Sequence, residues 1–198
     1  MNFIIPYRNR RQHLEPFCRA LQGRKIVIVE QDGFEPFNRA KLLNIGFLET
    51  EAEHYCFHDI DMIPIDVDYS PSDVAHLAGR ASQFNNKLPY DDYFGGVTIF
   101  SRETFLKVNG YSNKFWGWGS EDDEMYNNVV NNGYEVERRN CRFRSISHAP
   151  ADRSNHAKNI LTNLAGRQED DGLSNCKYEV ISKVESAKYV WLKVNVCI

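Results

Sequence analysis

Residues Phe115-Trp116-Gly117-Trp118-Gly119-Ser120-Glu121-Asp122-Asp123-Glu124 alternate two tryptophans with two glycines and then place four acids in a row. Tryptophan favours burial, glycine gives backbone freedom at an entropic cost, and adjacent carboxylates repel one another. Stability alone does not ask for this combination. Two readings meet here. In one, Ser120 and Asp123 form a capping box, and the acids suit the positive end of a helix. In the other, the run is the wall of an active site, with one carboxylate working as a base.

Four other groups carry potential chemistry. Asp59-Ile60-Asp61 follows a short apolar run, and two Asp side chains two apart in extended backbone point the same way. Such a pair can hold Mg²⁺ or Mn²⁺, which bridges to phosphates, or it can be an ordinary polar turn. Arg8 and Arg10 can bind a diphosphate or the face of a base, or simply open a solvated helix. Phe37 with Arg39 sets an aromatic surface beside a cation. His148 can complete a metal site begun by Asp61; His58 and His156 are weaker candidates. Tyr90, Tyr93 and the Phe94-Gly95-Gly96 step offer rings for a sugar's C–H face and a backbone that a ligand can approach closely.

The elements that must position these groups follow from the pattern. Phe3 to Pro6, Ile26 to Val29 and Tyr55 to His58 read as buried strands. Between the first two, Leu14, Phe17, Cys18 and Leu21 form one helical face, with Pro16 tolerable only in the first turn and Gly23 as the stop. Between the second and third, Asn38 caps a helix carrying Ala40, Leu43 and Phe47. Strand and helix alternating at this spacing predict a parallel sheet with right-handed crossovers, whose ligands bind beyond the carboxyl ends of the strands. Residues 64–93 read as irregular. Val97 to Phe100 is a strand, Ser101 caps a short helix ending at Gly110, and the tryptophan–acid run starts a helix to about Asn132, stopped by Gly133. Tyr134 to Arg138 and Arg142 to His148 read as strands. Residues 149–172 read as a mobile loop, periodic only from Ile160 to Leu164. Tyr178 to Val184 and Tyr189 to Val196 predict an antiparallel pair.

The 198 residues suit one domain, residues 1–198, with a substantial core. A net charge of −3 gives no broad electrostatic case for nucleic acid or an anionic membrane surface. Five scattered cysteines, Cys18, Cys56, Cys141, Cys176 and Cys197, form neither a disulfide framework nor a zinc pattern. Free thiols, no apolar run of membrane-spanning length and no signal peptide lead to the expectation of a cytoplasmic protein, peripheral at the inner membrane face if its substrate is lipid-linked.

Taken in order, Ile5-Pro6-Tyr7-Arg8-Asn9-Arg10, Phe37-Asn38-Arg39-Ala40-Lys41-Leu42-Leu43-Asn44, Asp59-Ile60-Asp61-Met62-Ile63-Pro64, Leu88-Pro89-Tyr90, Tyr93-Phe94-Gly95-Gly96-Val97, the tryptophan–acid run and Asp171-Gly172-Leu173 resemble the β-1,4-galactosyltransferase family nearly end to end. That resemblance implies an α/β GT-A fold, a Rossmann-like mixed sheet flanked by helices with antiparallel strands at the C-terminal end. It implies an inverting transferase that moves galactose from UDP-galactose to a saccharide or lipid-linked saccharide, at the 4-OH of N-acetylglucosamine, glucose or a related sugar. It further implies that Pro6, Tyr7, Arg8, Arg10, Phe37, Arg39, Asp59, Asp61, Tyr93, Gly96, Trp118 and Glu121 hold the donor. Phe84, Tyr90, Ser120, Asp122 and Asp123 line the acceptor site, Asp122 is the general base, and Asp61 and His148 ligate Mn²⁺ or Mg²⁺. Tyr93 at its position disfavours an N-acetyl group on the donor; a UDP-N-acetylgalactosamine enzyme is the alternative.

The chain departs from the family where a third metal ligand, Met or His, is usual: Ser145 and Ile146 stand there. It also lacks the stem, anchor and cystine pattern of the animal Golgi enzymes, which fits a bacterial or viral enzyme of surface polysaccharide or glycolipid synthesis. Two further classes compete. A haloacid-dehalogenase-type phosphotransferase needs its Asp-x-Asp after the first strand, not the third. A non-catalytic glycan-binding module would be expected to have lost Asp61 or Asp122, and both are present.

Overall fold

A computed structural model describes residues 1–197. The first half lays down β1 (Asn2–Tyr7), α1 (Arg11–Ala20), β2 (Lys25–Gln31), α2 (Arg39–Leu48) and β3 (His54–His58). Then come β4 (Met62–Asp66), β5 (Val74–His76), β6 (Arg80–Ala81), β7 (Val97–Ser101) and α3 (Arg102–Lys107). The remainder holds α4 (Glu121–Asn131), β8 (Glu137–Arg138), β9 (Arg142–Ser145), α5 (His156–Leu164), β10 (Glu179–Glu185) and β11 (Val190–Asn195).

The main sheet runs β10-β11-β2-β1-β3-β7-β5-β8. Strand β1 is parallel to both β2 and β3, and β11 joins parallel to β2 while pairing antiparallel with β10. Strand β7 is antiparallel to β3 and β5. The alternation of β1 and β2 explains two cores. Ile4, Val27 and Val29 face the α2 side, whereas Phe3, Ile5, Ile26 and Ile28 face the α1 side with Phe17. Strands buried on both faces read as unbroken apolar runs, and these do.

Helix α2 is buried almost all round, from Ala40 to Phe47. Its start is fixed as expected, the Asn38 side chain accepting from the Lys41 N–H at 2.9 Å. Its distance from the sheet is set by Gly46, where an added Cβ would lie 2.2 Å from Ile4 Cγ2 and 3.1 Å from Val29 Cγ2. Asn44 ties the same helix to the loop that leads to the tryptophan–acid run, donating to the Tyr111 carbonyl at 2.7 Å and accepting from the Tyr111 N–H at 2.8 Å.

A second sheet runs β4-β9-β6. It corrects the reading of residues 64–93 as irregular, for β4, β5 and β6 run through that stretch. These strands are two to five residues long, too short for periodicity to show, and Pro64 is tolerated because β4 is an edge strand. Other boundaries also move. Pro16 lies in the sixth position of α1, not its first turn, and the helix is held by burial of His13 and Phe17. The strand predicted over 134–138 shrinks to Glu137–Arg138, and that over 142–148 stops at Ser145. Residues 149–172 contain α5, whose buried residue is Asn159, so its burial cannot be read from apolar spacing. All five cysteines are free, and among the described residues no helix is long and apolar enough to cross a membrane.

The close approach of α2 generates a stability prediction. Gly46→Ala should destabilise the fold by about 1–3 kcal/mol through overpacking, seen as a lower urea midpoint. Ile45→Ala, one residue away in the same buried helix, should cost about 2–5 kcal/mol by the opposite route, a cavity.

Candidate active site

A cleft of about 830 Å³ opens where β1, β3 and the start of α4 converge. Arg8 and Arg10 follow β1, Arg39 opens α2, and Asp59 and Asp61 follow β3. The second sheet brings in His148. Strands β4 and β9 pair with Met62 opposite Ser145, and the Ile146 N–H donates to the Asp61 carbonyl at 2.7 Å. Two residues later the His148 Nε2 lies 3.0 Å from Asp61 Oδ2. Asp59 and Asp61 are not in extended backbone as expected: Asp59 leaves β3 and Asp61 sits in a tight turn closed by Met62 N–H to the Asp59 carbonyl. The two carboxylates still share the cleft but have separate partners, Arg39 for Asp59 and His148 for Asp61.

The cationic side is ordered from within. Arg39 Nε donates to Asp59 Oδ1 at 2.7 Å, and its Nη1 lies 3.9 Å from Glu121 Oε1. Burial opposes the charge on Arg39, but Asp59, Tyr111 and Glu121 around it more than offset this and raise its pKa. Its Nη1 is buried with no hydrogen-bond partner. The Arg8 guanidinium sits 5.3 Å from the Phe37 ring centroid, a cation–π contact that turns both toward the cleft.

The acidic side is built by a left-handed approach to α4. Gly117, Gly119 and Ser120 have φ of 77°, 103° and 72°. The predicted capping box is therefore absent. An N-cap that bonds the third N–H needs β-region backbone, and Ser120, held left-handed behind the glycines, makes no side-chain cap bond. Asp123 is free for another partner and accepts from the Tyr90 hydroxyl at 2.6 Å. Asp122 Oδ1 accepts from the Asp123 N–H at 3.1 Å, and its Oδ2 lies against Gly95, where an added Cβ would be 2.5 Å away.

Burial, with Asp122 adjacent, pushes the Glu121 carboxyl up to about 8 against the pull of Arg39. Burial, with Asp123 adjacent, pushes Asp122 up to about 6, again against Arg39. A carboxylate with its pKa raised toward neutrality, at the end of a cleft, has the basicity that proton abstraction from a hydroxyl requires.

Aromatic rings line the wall beside these acids. Tyr93 is buried and meets Tyr90 and Phe84 edge-on, at 5.5 and 5.4 Å between centroids. Trp118 projects from the glycine turn, 41% exposed, with its ring 4.8 Å from that of His156 and 4.1 Å below the Arg153 guanidinium. Its backbone N–H donates to the Asp152 carbonyl at 3.1 Å, so the 149–156 segment is docked on the tryptophan turn.

The cleft thus gathers every predicted site residue except Tyr7. Tyr7 points to the other side of β1, where it packs edge-on against Trp191 at 4.9 Å; strand alternation sends Pro6 and Arg8 to the cleft and Tyr7 away from it. His58 is a core residue, bonded to the Tyr69 hydroxyl and the Asp59 carbonyl, and burial lowers its pKa to about 4. Gly95, from the Gly-Gly step, lies under Asp122, and His156, a weaker candidate from sequence, packs on Trp118; Asp152 and Arg153 beside Trp118 have no place among the residues predicted from sequence. Asp152 and Arg153 lie in a stretch without periodicity.

The donor set fits a hard divalent cation in part. Asp61 supplies an oxygen and His148 a nitrogen, 3.0 Å apart; with its proton on Nδ1, donated to the Ala149 carbonyl 2.6 Å away, the ring would turn an Nε2 lone pair toward a cation. Arg10 Nη2 also reaches Nδ1, at 3.0 Å. No group of three or more His, Cys, Asp or Glu suited to a metal occurs among the described residues. Ser145 Oγ is buried without a partner and lies off the cleft wall, so it adds no ligand.

The family model described as the N-terminal region of glycosyl transferase group 7 matches residues 1–70, and that described as the N-terminal domain of galactosyltransferase matches residues 75–152. Mouse β-1,4-galactosyltransferase 1 is 34% identical over 98% of this chain, which spans 54% of that protein's length. The catalytic domain of Drosophila β1,4-galactosyltransferase 7, solved with xylobiose, superposes with a TM-score of 0.88 at 27% identity, covering 100% of this chain and 94% of that one. A mutant of the same Drosophila enzyme, solved with manganese, UDP-Gal and xylobiose, gives a TM-score of 0.82 at the same identity and coverage. The fold is that of the GT-A glycosyltransferases, and the chain belongs to the β-1,4-galactosyltransferase family.

Proposed function

We propose that this chain is an inverting, divalent-metal-dependent galactosyltransferase that moves galactose from UDP-galactose to a sugar hydroxyl and forms a β-1,4 linkage. The observation that carries this reading is Asp122: a carboxylate raised to about 6, seated on the Gly95 backbone in the cleft that also holds the Asp61–His148 pair. The Drosophila relative's complex with manganese, UDP-Gal and xylobiose supports the same ligand classes here.

In this reading Arg8 and Arg10 bind the diphosphate, Phe37 faces the base and Asp59 a donor hydroxyl. Asp61 and His148 would hold Mn²⁺ or Mg²⁺, which when bound would neutralise charge on the diphosphate. Tyr90, Phe84 and Tyr93 stack on sugar faces. The bulk of Tyr93 beside Asp122 favours galactose over its N-acetylamino analogue. Asp122 takes the proton from the acceptor hydroxyl as that oxygen bonds to galactose C1. The C1–O bond to the diphosphate breaks, UDP leaves with the electron pair, and the α donor gives a β product.

The test is UDP release from UDP-galactose with Mn²⁺, with and without N-acetylglucosamine, glucose or xylose. Failure to bind UDP-galactose in the presence of metal would sink the reading. Asp122→Asn should lower kcat about 10³-fold while UDP-galactose binding persists. The working form of Asp122 is the ionised one, present above its raised pKa, so kcat/KM should fall as pH drops through about 6. Gly95→Ala should cost about 100-fold in kcat/KM, because the added Cβ would displace both the Asp122 carboxylate and the Tyr93 ring.

A further inference from the structure

Helix α5 has its polarity reversed. Its inward residue, Asn159, is buried, and its side-chain amide donates to the carbonyls of Trp116 and Trp118 at 3.1 and 3.2 Å. The partly covered Thr162 and Asn163 share that inner side. Ala157, Ile160, Leu161 and Leu164 follow i, i+3, i+4, i+7 and form the outer face, with the last three 41%, 67% and 78% exposed. A surface helix normally turns its apolar stripe to the core.

The stripe is continuous with the cleft. His156, the first residue of α5, lies on the cleft wall against Trp118, and His156, Ile160 and Leu164 fall at i, i+4, i+8. The apolar face therefore starts at the mouth, beside the half-exposed Trp118, and runs about 12 Å outward. No acid lies anywhere on α5. A further sugar unit would need polar partners as well as C–H surface, and beyond His156 at the mouth the Ala157, Ile160, Leu161 and Leu164 face supplies none. Three exposed side chains also fall well short of the ~800 Å² per partner of a stable protein interface.

We propose that this face binds an apolar aglycone of the acceptor: the reacting sugar sits in the cleft, and a linear alkyl chain attached to it lies along Ile160, Leu161 and Leu164. The acceptor class is then an amphiphilic glycoside. This rests on the galactosyltransferase reading above.

The experiment compares initial rates with free N-acetylglucosamine or glucose against the octyl and dodecyl β-glycosides of the same sugar, below their micelle concentrations. For wild type, acceptor KM should fall about tenfold from the free sugar to the alkyl glycoside, a modest fraction of what full burial of the chain would give. The variant Ile160→Ser/Leu161→Ser/Leu164→Ser should keep wild-type kcat and KM for the free sugar and lose the fall. Leu164→Ser alone, at the most exposed position, should lose part of it, so the conclusion survives if the triple variant fails to fold. Turnover of the free sugar with no dependence on chain length overturns this proposal alone, as does a variant that retains the fall. Binding of wild type, but not the variant, to bare phosphatidylcholine vesicles, with no chain-length effect in solution, overturns it in favour of a membrane-facing surface. No turnover of any acceptor, free or alkylated, overturns the transferase reading and this proposal with it.

Discussion

The charge on Arg39 is the condition for everything else in the cleft. One guanidinium at the start of α2 faces Asp59 from the end of β3 and Glu121 from the start of α4, and its field also reaches Asp122. Without it, three partly buried carboxyls, one at the end of β3 and two at the start of α4, would repel one another. With it, they are held apart in ionisation rather than in space. Removing one partner of such a partly buried pair leaves a charge uncompensated. The buried face of α2 and the close packing at Gly46 therefore have a second role: they hold the cation at the depth where it can serve all three.

The carboxylates contribute their own organisation. Glu121, Asp122 and Asp123 lie in the first turn of α4, where unpaired N–H groups and the helix dipole favour negative charge. The left-handed turn through Gly117, Gly119 and Ser120 decides which of them faces which partner. Asp123 goes to Tyr90, Glu121 toward Arg39, and Asp122 to the open cleft over Gly95. The result is three neighbouring acids in three distinct environments.

Much of this is legible in the sequence where local signals and tertiary demands agree. The strands β1, β2 and β3, the Asn38 cap, the Ser101 cap and the stops at Gly23 and Gly133 all arise from side-chain or backbone rules that act within a few residues. The gathering of Arg8, Arg39, Asp59, Asp61 and Asp122 into one cleft follows from a parallel sheet placing its strand ends together. The failures have equally specific causes. Ser120 matches a capping box in spacing, but the preceding glycines put it in the wrong backbone region. Tyr7 belongs to a motif whose alternate residues face opposite ways. Helix α5 is held by Asn159 rather than by apolar burial, and the short strands β5, β6 and β8 exist only through long-range pairing.

The insertion of β11 between β10 and β2 bears on how the chain matures. Strand β2 sits inside the finished sheet, yet one of its two neighbours, β11, lies far along the sequence at Val190–Asn195. During synthesis its apolar row, Ile26 to Val29, must wait with one backbone edge open until residue 195 has emerged. Non-local pairing of this kind slows folding and leaves a partly built sheet exposed to association with other chains. Vectorial synthesis thus makes the hairpin β10–β11 a late seal of the sheet, closing the open edge beside the first helix crossover.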